Sequence, residues 1–464
     1  MIHPAPKSAC CGCAACVQRC PKQCIRMEDD SEGFLYPRVD AGACIDCHLC
    51  ERVCLVLHSG EPREPQGAFA ATNPDERVRM ASSSGGVFSL LAGQTIAEGG
   101  VVFGAAFNGR WEVEHTVAET MDEVGRFRGS KYVQSRIGDA YRQAERLLKE
   151  GRAVLFSGTP CQVAALRRYL RKDYEHLLCV DFICHGAPSP GVFRTYLRDV
   201  LLQRSAARQG GGKNSVLPPC FPLVADGDGF DATGADLGEI KSVAFRDKRN
   251  GWQKYGFALH FSEASADGEK YGFALPKSRG GEGAAPSAVA LPTAAAASPT
   301  AASPDELYEP LDENPFMRGF LADLYLRPSC HHCPAKGLRS GSDVTLGDFW
   351  GIQTLRPDLN DNRGLSAVTA NTPRGLRALR ATAARLTPVA LSDIAERNPA
   401  LVRSSAVPKN RARFFRPDGC TLADKVRRYA RPPFSWRALL SKTARRLLPG
   451  GVFRLLRRLL HRKP

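Results

Sequence analysis

Two cysteine runs near the N-terminus constrain this chain more than any other feature of its sequence. Cys10-x2-Cys13-x2-Cys16-x3-Cys20-Pro21 is followed by a second run of the same spacing. In chains that bind two 4Fe-4S cubanes, three thiolates of each run bind one cubane and the fourth crosses to the other. We therefore expect one cluster on Cys10, Cys13, Cys16 and Cys54. We expect the second on Cys44, Cys47, Cys50 and Cys20.

The alternative for these runs is a pair of zinc knuckles, but zinc sites rarely use two runs of four cysteines. Leu55 stands where the second run would normally have proline, which should alter the turn without removing a ligand. Cys11 and Cys24 are surplus, and we interpret them as packed thiols. Residues 1–58 are thus predicted to form a dicluster domain of the bacterial ferredoxin type.

Composition and charge narrow the class of protein. Ten of the seventeen cysteines lie between Cys10 and Cys54, in a spacing that suits metal rather than disulfides. The N-terminus lacks an apolar signal region and no stretch approaches a membrane span, so we expect a cytoplasmic chain. The net charge is +16, but Lys425–Pro464 holds 13 basic and no acidic residues, which leaves 51 basic against 48 acidic residues before it. This pattern argues against nucleic-acid binding and indicates a basic tail.

Strand and helix patterns alternate after a short linker, which predicts an α/β body over residues 66–205. The predicted strands are 100–107, 153–156 and 177–183, and the predicted helices are 86–97 and 138–149. Gly-, Pro- and Ala-rich stretches interrupt residues 206–305. Within that region Lys254–Leu259 and Lys270–Leu275 share one sequence, which we interpret as the arms of a β-hairpin. Residues 306–400 should complete the body.

Four further cysteines have the context of a third metal site. Cys161 and Cys184 each follow a predicted strand, and open α/β sheets bind ligands at the carboxyl ends of their strands. Cys330 and Cys333 form a short-spaced pair downstream. Four thiolates suffice for a third 4Fe-4S cluster, with zinc as the alternative. Cys179, Cys220 and Cys420 have no partner spacing, and we interpret them as structural or incidental.

Ser82-Ser-Ser-Gly-Gly86 precedes a predicted helix, where backbone N–H groups can hold phosphate, although a plain serine N-cap explains the segment equally well.

At this point the residues resemble the beta subunits of coenzyme F-420-reducing hydrogenase and F-420-linked dehydrogenases, with their bacterial ferredoxin-fused relatives. The resemblance covers about residues 8–375. Its motifs are Ser83–Gly86, Gly129–Ser135, Gly158–Gln162, Val180–Pro190, Phe245–Lys248, Gly251-Trp252, Arg327–Cys330 and Ser342–Gly351.

The resemblance implies a flavin, FAD, beside a 4Fe-4S cluster. Clusters pass single electrons whereas hydride carries a pair, so a flavin is the converter that such a chain needs. Carried onto this sequence, Lys131 is the candidate for the charge that stabilises reduced, anionic flavin, with an ordinary solvated lysine as the alternative. The cofactor-binding residues would be Ser83, Ser84, Gly85, Gly86, Lys131, Tyr132, Gln134, Gly158, Thr159 and Gln162. Asp348 and Trp350 would shape the cleft, and His185 would support the neighbouring ligand or act as an acid.

The basic tail, residues 415–464, predicts two short amphipathic helices within Trp436–Leu460. Such a surface can lie on an anionic membrane, dock on an acidic protein or pack on its own domain. The first of these would place the chain at the inner face of the membrane.

The sequence thus predicts an α+β multidomain protein, with a dicluster ferredoxin fold followed by an α/β flavin-binding body that includes a β-hairpin region. We expect an iron-sulfur flavoprotein oxidoreductase that relays electrons between a small redox carrier or reduced ferredoxin and a hydride-exchanging deazaflavin or organic molecule. The alternative is an electron-transfer subunit without its own substrate, docked on a partner oxidoreductase.

Overall fold

The computed structural model describes residues 2, 6–208, 217, 220, 237–261 and 305–430. The strands of this part are β1 (Ile25–Asp29), β2 (Leu35–Val39), β3 (Gly67–Thr72), β4 (Val101–Phe107), β5 (Val113–Ala118), β6 (Val154–Gly158), β7 (Leu177–Phe182), β8 (Ile240–Asp247), β9 (Gly256–Phe261), β10 (Glu306–Pro310), β11 (Val344–Asp348), β12 (Ser366–Ala370) and β13 (Arg385–Pro388).

The helices of the same part follow in chain order. They are α1 (Ala15–Arg19), α2 (Leu49–Arg52), α3 (Glu76–Ala81), α4 (Val87–Ala97), α5 (Met121–Val124), α6 (Ala140–Lys149), α7 (Pro160–Leu170), α8 (Pro190–Arg208), α9 (Pro315–Leu321), α10 (Ile352–Leu355), α11 (Pro373–Ala381), α12 (Leu391–Arg397), α13 (Arg411–Phe414) and α14 (Leu422–Tyr429).

An eight-stranded mixed sheet forms the centre of the body, in the order β13-β3-β12-β11-β7-β6-β4-β5. Its four central strands, β11, β7, β6 and β4, are parallel, and antiparallel strands extend both edges. The apolar side chains alternate between the two faces, as the period of a strand requires. One face packs on α6 and α7, and the other packs on α4 and α11. The predicted α/β sheet is therefore confirmed, with its three predicted strands at its centre.

The parallel strands direct four chain segments to one edge of this sheet. The segments after β4, β6, β7 and β11 all leave at the carboxyl ends of their strands, because parallel neighbours end on the same side. Thr159–Cys161 follows β6, and Cys184 follows β7, the next strand in the sheet. Adjacent strands thus place two of the candidate ligands side by side.

The predicted hairpin between residues 254–259 and 270–275 is wrong. Strand β9 is the middle strand of a three-stranded antiparallel sheet, in the order β10-β9-β8. Both of its edges are hydrogen-bonded, to β8 on one side and to β10 on the other. No edge of β9 is left for residues 270–275, which lie outside the described residues.

The N-terminal 58 residues form a small unit with one antiparallel pair, β1 and β2, and the short helices α1 and α2. At the other end of the chain, α14 packs through Leu422 and Val426 into the core around α8 and α9. The start of the predicted tail is thus part of the body, whereas Trp436–Leu460 lies outside the described residues. Within the described part of the chain, no helix is long and apolar enough to cross a membrane.

Candidate functional site

The first cavity of the N-terminal unit is lined by Cys10, Cys13, Cys16 and Cys54, the predicted ligands of one cluster, and also by Cys11. Met27, Leu55 and Leu57 supply apolar walls. Cys54 reaches this cavity from the second cysteine run, which is the position that the predicted crossing requires.

The second cavity is lined by Cys20, Cys44, Cys47 and Cys50, the predicted ligands of the other cluster, and also by Cys24. The thiols of Cys20 and Cys24 lie 3.4 Å apart. Burial would raise the pKa of Cys20, but hydrogen bonds from the backbone and thiol of Cys24, together with backbone bonds from Lys22 and Gln23, lower it below the ordinary value. Cys24 therefore favours the thiolate form of its neighbour, which is the form that binds metal.

The two cysteine runs repeat in backbone conformation as well as in sequence. The residue before the second cysteine has a positive φ in both runs, at Gly12 and at Asp46. The residue after the second cysteine also does, at Ala14 and at His48, and a short helix then carries the third cysteine. Left-handed residues at both places turn the chain tightly, so that three thiols face one cavity.

The third set of cysteines, Cys161, Cys184, Cys330 and Cys333, comes together at the carboxyl edge of the large sheet. Burial raises the pKa of Cys184, and the nearby thiols of the other three raise it further. The backbone N–H of Ala187 donates to the Cys330 sulfur at 3.3 Å. Thr159 lies with its hydroxyl 3.1 Å from the Cys161 sulfur. Four partly buried thiols from three chain segments thus lie near one another.

The spacing of the thiols discriminates between zinc and a larger inorganic group. A tetrahedral zinc ion with Zn–S bonds of about 2.3 Å holds its sulfurs about 3.8 Å apart. In the described part of the chain, no three cysteine thiols lie within 4.8 Å of one another. Among the described residues, the potential metal ligands that do lie within 4.8 Å of one another are Asp247, His260 and Glu306. Arg249 already pairs with both of these carboxylates. In the part of the chain that the structure describes, therefore, no set brings three thiols to the spacing that they have around a bound zinc ion.

Cys11 occupies a position that the sequence did not reveal. It is buried, and its thiol lies against the thiols of Cys13 and Cys161. Contact with Cys13 and burial raise its pKa well above the ordinary value, although the contact with Cys161 acts in the opposite direction. The expected packed thiol is thus also the link between the first N-terminal cavity and the third set. No local signal could have found it, because the contact joins residues 150 positions apart.

The Ser83–Gly86 loop lies over the ends of β3, β11 and β12. The Ser84 hydroxyl donates to the Leu365 carbonyl at 2.7 Å, and the Gly85 N–H donates to the Ser366 hydroxyl at 3.0 Å. Gly86 is the N-cap of α4 with φ of +80°. The Ser83 hydroxyl accepts a bond of 2.6 Å from the N–H of Ser130, which joins this loop to the Gly129–Ser135 segment.

Lys131 is half-buried. Its ammonium group donates to the carbonyls of Arg126 and Arg128 at 2.7 and 3.0 Å. Burial lowers the pKa of Lys131 to about 7. The group can therefore gain or lose a proton near neutral pH, whereas the sequence suggested a permanent charge. Tyr132, the next residue, packs on the rings of Phe245 and Phe320.

Gln134, Thr159 and Gln162 make specific bonds of their own. The Gln134 amide donates to the Cys11 carbonyl at 3.0 Å, so this residue joins the N-terminal unit to the body. Thr159 and Gln162 form the capping box of α7, and Thr159 is the one residue between this helix and Gly158, the last residue of β6. The Gln162 amide also donates to the Ser135 hydroxyl at 2.9 Å. The loops of the flavin prediction are therefore linked in one chain of contacts, from Ser83 to the segment that carries Cys161.

An aromatic cluster lies beside this edge. Arg246 is buried under the rings of Tyr255 and Trp350 and is paired with Asp348. Trp252 stacks on Trp350 and donates to Asp348 at 3.2 Å. These residues brace the end of β11, and the role of Asp348 and Trp350 in shaping a cleft stays a prediction. His185, next to Cys184, is bonded to Asp323 at 2.5 Å.

Fold and site together define an α/β protein that gathers three sets of cysteine thiols, one of them at the ligand-binding edge of a mixed sheet. Residues 151–206 match the family described as the C terminus of the coenzyme F-420 hydrogenase/dehydrogenase beta subunit. The chain is 26% identical over 211 residues to the F subunit of the F(420)H(2) dehydrogenase of Methanosarcina mazei, an alignment that covers 41% of this chain and 60% of that relative. In these stretches the chain is similar to the beta subunits of coenzyme F-420 hydrogenases and dehydrogenases, and it spans less than two thirds of the length of the curated relative.

A solved structure of the F-420-reducing nickel-iron hydrogenase complex from Methanosarcina barkeri also aligns with the chain. The alignment covers 73% of this chain and 91% of the matched one, with a TM-score of 0.40 and 14% sequence identity.

Proposed function

We propose that this chain is an iron-sulfur flavoprotein oxidoreductase. In this proposal it relays electrons between two N-terminal clusters and a flavin that exchanges hydride with a deazaflavin or an organic substrate. A flavin would accept hydride as an electron pair and release the electrons singly, which is the conversion that iron-sulfur clusters require. Ser83–Gly86, the Gly129–Ser135 segment and Gly158–Gln162 would hold it.

The observation that carries the proposal is the contact of Cys11 with both Cys13 and Cys161. It supports a continuous path from the first N-terminal cavity to the third cysteine set, which lies where the flavin motifs meet. Electrons would enter at the second cavity, pass to the first, and reach the flavin edge through the third set. Electron flow in the opposite direction would pass through the same residues.

The name of the Methanosarcina mazei relative supports deazaflavin as the hydride carrier, since that protein belongs to an F(420)H(2) dehydrogenase. The same name favours a second candidate function, because the relative is one subunit of a larger enzyme. In that case the chain is an electron-transfer subunit whose partner oxidoreductase supplies the other half-reaction. Either candidate function is compatible with a cytoplasmic chain that the basic tail holds at the inner face of the membrane.

The test is anaerobic reduction of the full chain after its iron and flavin have been quantified. We expect reduced deazaflavin to bleach the flavin first and the clusters afterwards. In Cys161→Ala the flavin should still bleach, while the N-terminal clusters stay oxidised because their connection is cut. Cys179→Ala, another buried cysteine, is the matched control and should behave like the unsubstituted chain. Bleaching of the N-terminal clusters at an unchanged rate in Cys161→Ala would refute the relay, and activity only with a co-purified partner would favour the electron-transfer subunit.

A further inference from the structure

Arg327 is a buried cation without a carboxylate partner. Its side chain is 1% exposed, and among the described residues no carboxylate oxygen lies within 4.0 Å of it, in contrast to Arg411 nearby. Its three bonds go to neutral oxygens, the Cys10 carbonyl at 2.8 Å, the Leu35 carbonyl at 2.9 Å and the Gln134 side chain at 3.0 Å. A buried charge is expensive unless an opposite charge compensates it. Arg327 therefore needs a counter-charge from another source.

The sulfurs around Arg327 belong to two different cysteine sets. On one side, the guanidinium lies 4.0 Å from the Cys10 sulfur of the first N-terminal cavity. On the other side lie Cys161 and Cys330 of the third set. The Cys11 contact chiefly raises the pKa of Cys161, and burial raises that of Cys330, but the charge of Arg327 lowers both. A single cation thus faces two sites that become anionic when they bind clusters through thiolates.

The N-terminal loop is shaped around this guanidinium. Gly12 lies between Cys10 and Cys13 with φ of +67°, and a methyl group there would lie 2.7 Å from the Arg327 guanidinium carbon. The rings of Tyr36 and Phe34 lie 4.1 and 5.4 Å from the same carbon. Glycine at this place leaves room for the arginine, and aromatic faces favour the charge. The second cysteine run has Asp46 at the equivalent place, with an exposed side chain.

We propose that Arg327 is the shared counter-charge of the first N-terminal cluster and the third cluster, and the positioning residue that holds the two together. This inference rests on the proposed iron-sulfur function. When one electron leaves either cluster and enters the other, no proton and no bond need move. The receiving site becomes more negative by one charge, and the fixed cation between the two sites stabilises that charge wherever it resides. Arg327 therefore raises the midpoint potential of both clusters, while the second N-terminal cluster is outside its contacts.

The test compares Arg327→Gln with Arg411→Gln in the full chain with its clusters. Arg411 also crosses the contact between the N-terminal unit and the body, through Glu32 and the Leu326 carbonyl, but no bond joins it to a cysteine. Midpoint potentials are measured by redox titration followed by electron paramagnetic resonance, together with iron content. In Arg327→Gln we expect two of the three potentials to fall and the third to stay. In Arg411→Gln all three should stay.

Unchanged potentials in Arg327→Gln with full iron content would overturn the inference, as would an equal fall in Arg411→Gln, which would assign the effect to docking. If Arg327→Gln loses iron, Arg327→Lys decides. Lysine keeps the positive charge but lacks the planar guanidinium that reaches both cluster sites. The potential of at least one of the same two clusters should therefore fall. If neither potential falls, the role of Arg327 is refuted. Iron near eight atoms in the unsubstituted chain would instead refute the three-cluster proposal, by the stoichiometry of four per cubane.

Discussion

Replacing Cys161 by alanine should remove one complete metal site and leave the other two intact. The predicted ligands are twelve cysteines in three sets of four, which lie in two cavities and at one sheet edge and would correspond to about twelve iron atoms per chain at four per cubane. Cys161 is the member of the third set that begins α7, and its thiol contacts Cys11. With one ligand of four removed, we expect iron to fall from about twelve to about eight atoms per chain.

The assay is anaerobic iron and acid-labile sulfide analysis of the purified chain, with absorbance near the cluster bands as a second readout. Cys179→Ala is the matched control, because Cys179 is fully buried on β7 but belongs to none of the three sets. It should keep about twelve iron atoms. Full iron in Cys161→Ala would show that the third set holds no cluster. Loss of all iron would show that the three sites do not assemble independently, and either result refutes the assignment of ligands.

The remaining predictions concern three other positions. Cys11→Ala should keep full iron, because Cys11 lies between two sets, but should slow the reduction of the N-terminal clusters by deazaflavin in stopped-flow absorbance; an unchanged rate would contradict its role as the link. Gly85→Ala should destabilise the fold by about 1–3 kcal/mol, since its methyl group would lie 2.3 Å from the Ala71 carbonyl oxygen. Gly93→Ala, whose methyl group would meet Met121 at an ordinary 3.6 Å, is the control, and equal melting temperatures would refute the argument. Lys131 should react with an amine acylating reagent with a midpoint near pH 7, because burial lowers its pKa to about 7. Lys149, whose contact with Glu145 raises its pKa, should react only at higher pH, and matching profiles by peptide mass spectrometry would count against the buried ammonium.

The Lys131 environment also changes the chemistry open to the proposed flavin site. A permanent cation would only stabilise negative charge, whereas an ammonium group with a pKa near 7 can also donate a proton. Its two carbonyl acceptors, on Arg126 and Arg128, fix its position near the Ser83–Ser130 contact. Proton delivery and charge stabilisation are thus both available from one side chain at this edge of the sheet.

The cysteine sets of the N-terminal unit could be predicted from the spacing of the cysteines along the chain. Within a run, the ligands are at most ten residues apart, so the conformation of a few residues decides which thiols face one cavity, and positive φ at Gly12 and Asp46 provides it. The order of strands and helices could likewise be predicted from the sequence, because the period of the apolar residues indicates which of them are buried. Cys161 and Cys184 could be placed at a sheet edge for the same reason, since a residue that follows a parallel strand must leave at its carboxyl end.

The sequence by itself therefore determined the cysteine sets, the α/β body and the edge at which its candidate site lies. Only the tertiary structure decided which elements meet across long separations. It paired β9 with β10 rather than with the repeated segment, placed Cys11 against Cys161, and buried Arg327 between Cys10 and the third set. Such contacts join residues tens to hundreds of positions apart, and they depend on how whole layers pack. No periodicity or spacing along the chain encodes such contacts, so the link between the N-terminal unit and the third cysteine set emerges only in the folded molecule.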